Sequence, residues 1–300
     1  MGRSIRVPFL VDVTLVDDPR TIDGLEADDR IDRAYADRGP WYNRVLQRRL
    51  VSHLRLETEV LPAFRPRDDA ARAETQRALA QRLGQLTVDA LADDPDVAAV
   101  ARWVREGATD EPADVGPLVQ QFAGRLFNPD YTGDAASYKA ARTIDRFVRS
   151  GPVGGAWLSL SGRVSRALHL LSRRAGGDAH AVHATAIAFH TMVVAVSRMR
   201  AIARTPGRGG RAREENIVGQ CLVPPEAALR TVSASLQTIH RRKPLQPGAL
   251  IVYRLADAFG ERADVAGTFR SGAWSECPAH GLVPNFLRAV WRRATAGDAP

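Results

Sequence analysis

Apolar residues recur at helical spacing through most of the chain, and β-branched runs interrupt them in two places. Residues 5–16 (IRVPFLVDVTLV) mix β-branched and apolar residues in partial alternation, which predicts a short strand or a strand pair. Asp17-Asp18-Pro19 then predicts a helix start, because an aspartate caps free amides and proline fits the first turn. Apolar residues three and four apart predict further helices at 41–56, 68–91, 114–127, 134–149 and 156–174.

The C-terminal half carries the most apolar helical segment. Residues 178–203 contain few polar positions, so we expect this helix to cross the core. Pro224-Pro225-Glu226 predicts the start of a helix that runs to about His240. A strand after the turn Pro247-Gly248 and a last helix are predicted at 250–253 and 282–293. Together these elements predict a mainly α fold, a helical body that bears a small β-sheet.

The composition is that of an ordinary globular protein, with 45% hydrophobic and 25% charged residues in a chain of 300. That length fits one large domain. We therefore expect a single domain over residues 1–300. Its parts are a strand region at 1–16, a helical body at 17–205 and a mobile loop at 206–216. The last part, 217–300, is the region in which we expect the residue that binds a cofactor.

The charge of the chain argues against a nucleic-acid partner. The formal net charge is +8, and arginine supplies nearly all of it, since the lysines are Lys139 and Lys243 alone. Binding to nucleic acid needs clustered cations, ideally interleaved with aromatic residues. Here the arginines are scattered, and the densest run, 204–213, is rich in glycine and holds no aromatic residue. The run predicts a solvated loop.

Cysteine usage and the apolar stretches indicate the compartment. Cys221 and Cys277 are too few for a disulfide framework, and no secretory signal precedes them. Asp12 interrupts the N-terminal apolar stretch, and His183 and His190 interrupt the longest later one. We expect a cytoplasmic protein without a membrane partner.

Two histidines on the central predicted helix are candidate metal ligands. His183 and His190 share a face but stand about 10 Å apart along the axis, so they cannot chelate one ion. Either one could be an axial haem ligand, because a neutral imidazole on a buried helix is a common way to hold iron. A core histidine that is hydrogen-bonded to a neighbouring helix is the alternative.

Cys277 is the third candidate ligand. It stands shortly before the last predicted helix, where backbone amides and the helix dipole favour a thiolate that can bind iron. The alternative is a small buried hydrophobic residue.

The segment around Cys277 resembles the haem loop of the cytochrome P-450 family, Phe-x-x-Gly-x-x-x-Cys-x-Gly before a helix. This chain reads Phe269-x-x-Gly272-x-x-x-x-Cys277-x-Ala279, with one residue inserted and the final glycine replaced. Residues 181–185 (AVHAT) are similar to the family's oxygen-activating motif, Ala-Gly-x-acid-Thr, with Ala184 in place of the acid.

Two weaker matches lie between these motifs, in the order that the family has. Glu226 and Arg230 resemble the family's Glu-x-x-Arg pair, one residue too far apart, and we expect them to meet on one helix face. The turn at Pro247-Gly248 and the strand after it resemble the family's Pro-x-Gly turn and strand.

The resemblance implies a cytochrome P-450-like fold and a haem cofactor. Cys277 would bind the iron, and Thr185 would be catalytic in the distal pocket. The residues that the resemblance places around the haem are Phe269, Gly272, His183, His240 and Arg241, the last two beside the propionates. The implied function is a monooxygenase or peroxygenase-type oxidoreductase that acts on a small organic, secondary-metabolite-like molecule and receives electrons from a redox partner protein.

Two other interpretations stay open. In the first, His190 binds the haem, as in a protein that resembles the tryptophan and tyrosine oxygenases. In the second, the chain is a non-catalytic helical interaction protein, and Cys277 and the histidines are core residues. Because Ala184 cannot deliver a proton to oxygen, a peroxide-driven reaction, or haem binding without oxygenation, is favoured over ordinary oxygen reduction.

Overall fold

The computed structural model describes residues 3–33, 38–57, 59–150, 152–205, 214–237, 244–260 and 265–296. The chain divides into two compact units. The first comprises Met1–Gln76 and Pro224–Cys277, and the second comprises Arg77–Val223 and Pro278–Pro300. The first unit thus joins the two regions for which the sequence predicts strands. Whether 1–300 behaves as a single domain stays a prediction.

A mixed five-stranded sheet organises the first unit. Its strands are β1 (Arg3–Val7), β2 (Val11–Val16), β3 (Ile31–Asp32), β6 (Ala228–Val232) and β7 (Leu250–Tyr253). Their order in the sheet is β1-β2-β7-β6-β3. All neighbouring pairs are antiparallel except β2 and β7, which are parallel. A separate two-stranded hairpin contains β4 (Arg55–Leu56) and β5 (Glu59–Val60).

Alternation along β2 decides which face of the sheet is covered. Asp12, Thr14 and Val16 are buried, and the residues between them are half-exposed. This is the period-two pattern of a strand with one packed face. Val16 packs in the core of the unit with Ile22, Ile251 and other buried apolar residues. The strand pair predicted at 5–16 and the strand predicted at 250–253 are therefore confirmed.

Short helices surround the sheet of the first unit. The first begins at the predicted cap: Asp18 accepts a hydrogen bond from the backbone N–H of Thr21 at 2.8 Å, and Pro19 occupies the first turn. The helices are α1 (Pro19–Ala27), α2 (Trp41–His53), α13 (Leu255–Phe259) and α14 (Val265–Phe269), with a 3-10 turn at Pro62–Phe64. Helix α3 (Ala70–Gly84) begins in the first unit and ends in the second.

Packed helices form the second unit. They are α4 (Val88–Ala92), α5 (Pro95–Glu106), α6 (Pro112–Arg125), α7 (Ala135–Arg149), α8 (Pro152–Leu160), α9 (Arg163–Arg174), α10 (Ala179–His183), α11 (Phe189–Arg204), α12 (Glu214–Cys221) and α15 (Leu282–Thr295). The predicted last helix is confirmed as α15. The helix predicted at 178–203 is confirmed as one continuous helical run from Ala179 to Arg204, in which a π-helical turn, Ala184–Ala188, joins α10 to α11.

This central run is long and apolar enough to cross a membrane by length and composition alone. Within its most apolar stretch, 56% of the residues are buried inside the protein. Core helices of other proteins meet the same criteria, so the finding is weak evidence for a span.

Several helix predictions differ from the structure. Helix α5 was not predicted, although Asp94 caps it by accepting from the N–H groups of Asp96 and Val97 at 2.8 and 3.1 Å. The segment predicted at 68–91 divides into α3 and α4, because Thr87 starts a new helix. The segment predicted at 156–174 divides at Gly162, whose φ of 65° lies in the left-handed region, where an α-helix cannot continue.

The helix predicted from Pro224 to His240 is wrong. Residues 228–232 form β6, which pairs with β7 on one side and β3 on the other. The two prolines resemble a helix start locally, but pairing with distant strands overrides that preference. Residues 238–243 lie outside the described part of the chain.

Candidate cofactor site

Cys277 lies in a closed loop of the first unit that begins at the end of α14. Its backbone N–H donates to the carbonyl of Phe269 at 2.9 Å, which ties the two ends of the loop together. Phe269 is buried, and Cys277 is half-buried. The structure therefore brings three predicted residues, Phe269, Gly272 and Cys277, into one loop.

Gly272 is required by the shape of this loop. Its φ is +78°, and the preceding Arg270 is also left-handed at 56°. A Cβ placed on Gly272 would meet nothing within 4 Å, so glycine serves the backbone conformation and not a close contact. Its N–H donates to Glu276 Oε2 at 3.3 Å. The loop thus leaves open space beside Gly272.

A cluster of arginines holds the loop through Trp274. The carbonyl of Trp274 accepts from Arg72 Nη2 at 2.8 Å, and that of Ser275 accepts from Arg33 Nη2 at 3.3 Å. Four guanidinium groups lie 4.7–5.4 Å from the centre of the Trp274 ring, within the range of cation–π attraction. They belong to Arg33, Arg67, Arg72 and Arg230. The loop is consequently fixed from several elements of the first unit.

Arg230 pairs with Glu26 and not with Glu226. Arg230 Nε donates to Glu26 Oε1 at 2.7 Å, and both side chains are buried. Glu26 Oε2 also accepts from the hydroxyl of Ser275 at 2.5 Å, so the pair is linked to the cysteine loop. Burial acts to raise the pKa of Glu26, but Arg230 and the hydrogen bonds outweigh it and hold this pKa below its usual value. The carboxylate is therefore ionised at neutral pH.

The predicted Glu226–Arg230 contact on a helix is wrong for the same reason that the helix is wrong. Arg230 stands in β6 opposite Ile251, and Glu226 is exposed before the strand begins. The helix before this strand, α12, has the sequence EENIVGQC and carries no arginine. Glu26 was not predicted as its partner, because the two residues are 204 positions apart and no local pattern connects them.

In the second unit, Thr185 lies in the π-helical turn of the central run. Its side chain is fully buried, and its hydroxyl donates to the carbonyl of Ala181 at 2.8 Å. Such π turns inside α-helices occur frequently at functional sites. Here the turn coincides with the motif that resembles the oxygen-activating segment.

Gln120 is a residue of this region that the sequence analysis missed. It is fully buried on α6, and its Nε2 donates to the carbonyl of Thr185 at 2.8 Å. Its Oε1 accepts from the hydroxyl of Ser137 at 2.7 Å. One available signal was the spacing of Asp134 and Ser137, which form a capping box at the start of α7 and place Ser137 inward. Gln120 joins α6, α7 and the π turn.

The histidines of the central run stand in different surroundings. His183 is half-buried at the end of α10. The ring of His190 lies 4.2 Å from that of Phe189 and 6.5 Å from that of Tyr138, measured between centroids. Its Nε2 is enclosed and has no hydrogen-bond partner among the described residues. Burial, the largest influence, lowers the pKa of His190. Packing against Phe189 and Tyr138 is thus enough to explain a histidine at position 190, without a role in binding iron.

The remaining predicted residues, His240 and Arg241, lie outside the described residues. Within the described part of the chain, no group of three or more His, Cys, Asp or Glu residues could hold a metal ion.

The arrangement of helices and sheet matches solved structures of cytochromes P-450. The structure of P450BioI in complex with an acyl carrier protein ligated to hexadec-9Z-enoic acid has a TM-score of 0.58 and 12% identity, over 95% of this chain and 84% of that one. CYP175A1 from Thermus thermophilus has a TM-score of 0.58 and 16% identity, over 97% and 84%. CYP164A2 from Mycobacterium smegmatis, solved with econazole bound, has a TM-score of 0.57 and 18% identity, over 98% and 85%.

The chain has a divergent cytochrome P-450-like fold. The predicted mainly helical fold with a small sheet is confirmed. No protein-family model matches the sequence, and no curated protein matches it by sequence.

The surroundings of the two cysteines differ in how well they fit a thiolate ligand. Cys277 is partly accessible in a loop with open space at Gly272. The other cysteine does not fit, because burial raises the pKa of Cys221 to about 12 and keeps it a neutral thiol. In the central run, the hydroxyl of Thr185 donates a hydrogen bond to the carbonyl of Ala181, and Ala184 carries no acidic group.

Proposed function

We propose that the protein binds one haem through Cys277 and acts as a peroxygenase or monooxygenase-type oxidoreductase on a small organic molecule. The observation that carries this proposal is the closed loop from Phe269 to Cys277, with a half-buried thiol, in a cytochrome P-450-like fold. When bound, haem supplies iron that activates oxygen or peroxide. Cys277 is the iron ligand in this proposal, and Phe269 fixes the loop that presents it.

The surroundings of Thr185 favour peroxide as the oxidant. Its hydroxyl is engaged with Ala181, and Ala184 has no proton to give. Hydrogen peroxide is molecular oxygen that has already received two electrons and two protons. A reaction that starts from peroxide therefore needs fewer protons from the protein than one that starts from molecular oxygen. The balanced reaction inserts one peroxide oxygen into a substrate C–H bond and releases the other oxygen as water. No redox partner protein is then required, although such a partner remains our prediction for an oxygen-driven reaction.

A second candidate function is a non-catalytic helical protein that has kept the fold. The replacement of the motif's acid by Ala184 favours it, because this departs from the oxygen-activating motif that residues 181–185 resemble. Haem binding distinguishes the two candidates.

The test is the absorption spectrum of protein expressed with ample haem. We expect a Soret band in the protein as purified. When the protein is reduced and carbon monoxide is then added, we expect the strongly red-shifted band of thiolate ligation. Cys277→Ala should lose that band, whereas His190→Ala and Cys221→Ala should keep it. A colourless protein that also fails to take up added hemin would contradict the proposal and favour the second candidate. A histidine-type spectrum that only His190→Ala abolishes would assign the ligand to His190.

A further inference from the structure

Exposed apolar side chains concentrate at the β1 edge of the sheet in the first unit and on the adjoining α2. Nine large hydrophobic residues are exposed in the described part of the chain, and six of them lie on the β1–β2 hairpin or the start of α2. We name these six the hairpin patch: Ile5, Val7, Phe9, Leu10, Trp41 and Val45. Two backbone hydrogen bonds of 2.9 Å, from Trp41 N–H to the Phe9 carbonyl and from Tyr42 N–H to the Leu10 carbonyl, join the hairpin to α2.

Phe9 stands at the tip of this patch in a conformation that does not suit it. Leu10 N–H donates to the Val7 carbonyl at 3.0 Å, which closes a turn with Pro8 and Phe9 at its centre. The φ of Phe9 is 62°, a position that favours glycine or asparagine. Its side chain is nevertheless 92% exposed. Neither the turn nor the core therefore accounts for a phenylalanine at this position.

The charge around the hairpin patch is strongly positive. Residues 3–16 and 38–49 contain six arginines and one acid, Asp12. Asp12 is buried and lies 3.7 Å from Arg6, so it is already paired. A cleft of about 430 Å³ opens beside the patch, and its lining includes Arg6, Phe9 and Arg44. The surface thus combines protruding apolar side chains with segments in which arginines outnumber acidic residues.

We propose that the hairpin patch docks the protein on an anionic lipid bilayer. Phe9 and Trp41 enter the interface between headgroups and acyl chains, where aromatic side chains are favoured, and the arginines face the lipid phosphates. The aliphatic side chains Ile5, Val7 and Val45 add apolar area that cannot stack on bases, which favours lipid over nucleic acid. This contact is peripheral and crosses no membrane. It departs from the expectation, drawn from the sequence, that the chain has no membrane partner.

Sedimentation with lipid vesicles tests the proposal. We expect the full-length protein to pellet with vesicles of phosphatidylcholine and phosphatidylserine, to stay largely in solution with phosphatidylcholine alone, and to be released by salt. Phe9→Asn should lower the partition coefficient about tenfold, as expected for the loss of one buried aromatic side chain. The same variant should unfold at a higher temperature than the parent, since asparagine tolerates the left-handed conformation.

Leu160→Asn is the matched control, because Leu160 is 90% exposed on the second unit, outside the patch. It should leave vesicle binding unchanged. The proposal is overturned if the parent does not bind anionic vesicles, or if Leu160→Asn weakens binding as much as Phe9→Asn does. It is also overturned if Phe9→Asn binds like the parent while Arg44→Gln does not, since binding would then be electrostatic adsorption alone.

Discussion

Arg230 and Glu26 form a buried ion pair whose Nε to Oε1 distance is 2.7 Å. The side chains are 5% and 2% exposed, so neither charge is screened well by water. The pair connects β6 to α1, and through Ser275 it connects both to the loop that contains Cys277. It therefore links that loop to the sheet core.

Arg230→Ala should lower the free energy of unfolding by about 3–5 kcal/mol, because it leaves the carboxylate of Glu26 buried without its partner. Urea unfolding followed by circular dichroism measures the loss. Glu226→Ala is the control, since Glu226 is exposed, and it should change stability by no more than about 0.5 kcal/mol. Equal losses in the two variants would contradict the assignment of Glu26 as the partner of Arg230.

The stability of the protein should fall as the pH drops below about 6.5, and His190 should cause part of the fall. Burial lowers the pKa of His190 in the folded protein below its usual 6.5. As the pH falls, His190 is therefore protonated in the unfolded chain before it is protonated in the folded protein. Protonation thus favours the unfolded chain, and the free energy of unfolding decreases. Melting temperatures of the parent and of His190→Leu, measured between neutral and mildly acidic pH, report this. The variant should show a shallower decline.

His169→Gln serves as the comparison for this pH series, because His169 is exposed in the same unit. It should keep the slope of the parent. If His190→Leu and the parent decline in parallel, the His190 ring is not enclosed in the folded protein.

The two cysteines should differ sharply in reactivity. Burial raises the pKa of the Cys221 thiol to about 12, so almost none of it is thiolate near neutral pH, whereas Cys277 is half-buried in its loop. Iodoacetamide followed by peptide mass spectrometry should therefore label Cys277 first, and Cys221 only after the protein is unfolded. Prompt labelling of Cys221 in the folded protein would refute this assignment. Hemin, added beforehand, should protect Cys277 if the thiol binds iron.

Gln120→Leu should destabilise the second unit by about 1–3 kcal/mol, although it puts an apolar residue in a buried position. The substitution removes the side-chain donor to the carbonyls of Thr185 and Ser137 in the interior. Thermal unfolding measures the effect. Thr143→Ala on the exposed side of α7 should stay within about 0.5 kcal/mol. A neutral Gln120→Leu would show that water replaces the lost hydrogen bonds.

Local signals in the sequence were enough to locate much of the fold. The cap at Asp18 and Pro19, the apolar run of the central helix and the β-branched strand at Leu250–Tyr253 all act over a few residues. The order of the motif remnants was enough to predict the P-450-like architecture. For the candidate site, the sequence located Phe269, Gly272 and Cys277 in one loop, because the residues that shape it are adjacent in the chain.

Contacts between distant segments could not be read in this way. Residues 228–232 became a strand because β7 and β3 supply backbone partners on both sides, which outweighed the helix signal of two prolines. The partner of Arg230 was decided by the same pairing, since a strand turns this side chain toward Glu26. Gln120 was found only from the packing of three helices. Helical periodicity and caps depend on neighbours along the chain, whereas buried polar partners depend on which surfaces the fold brings together.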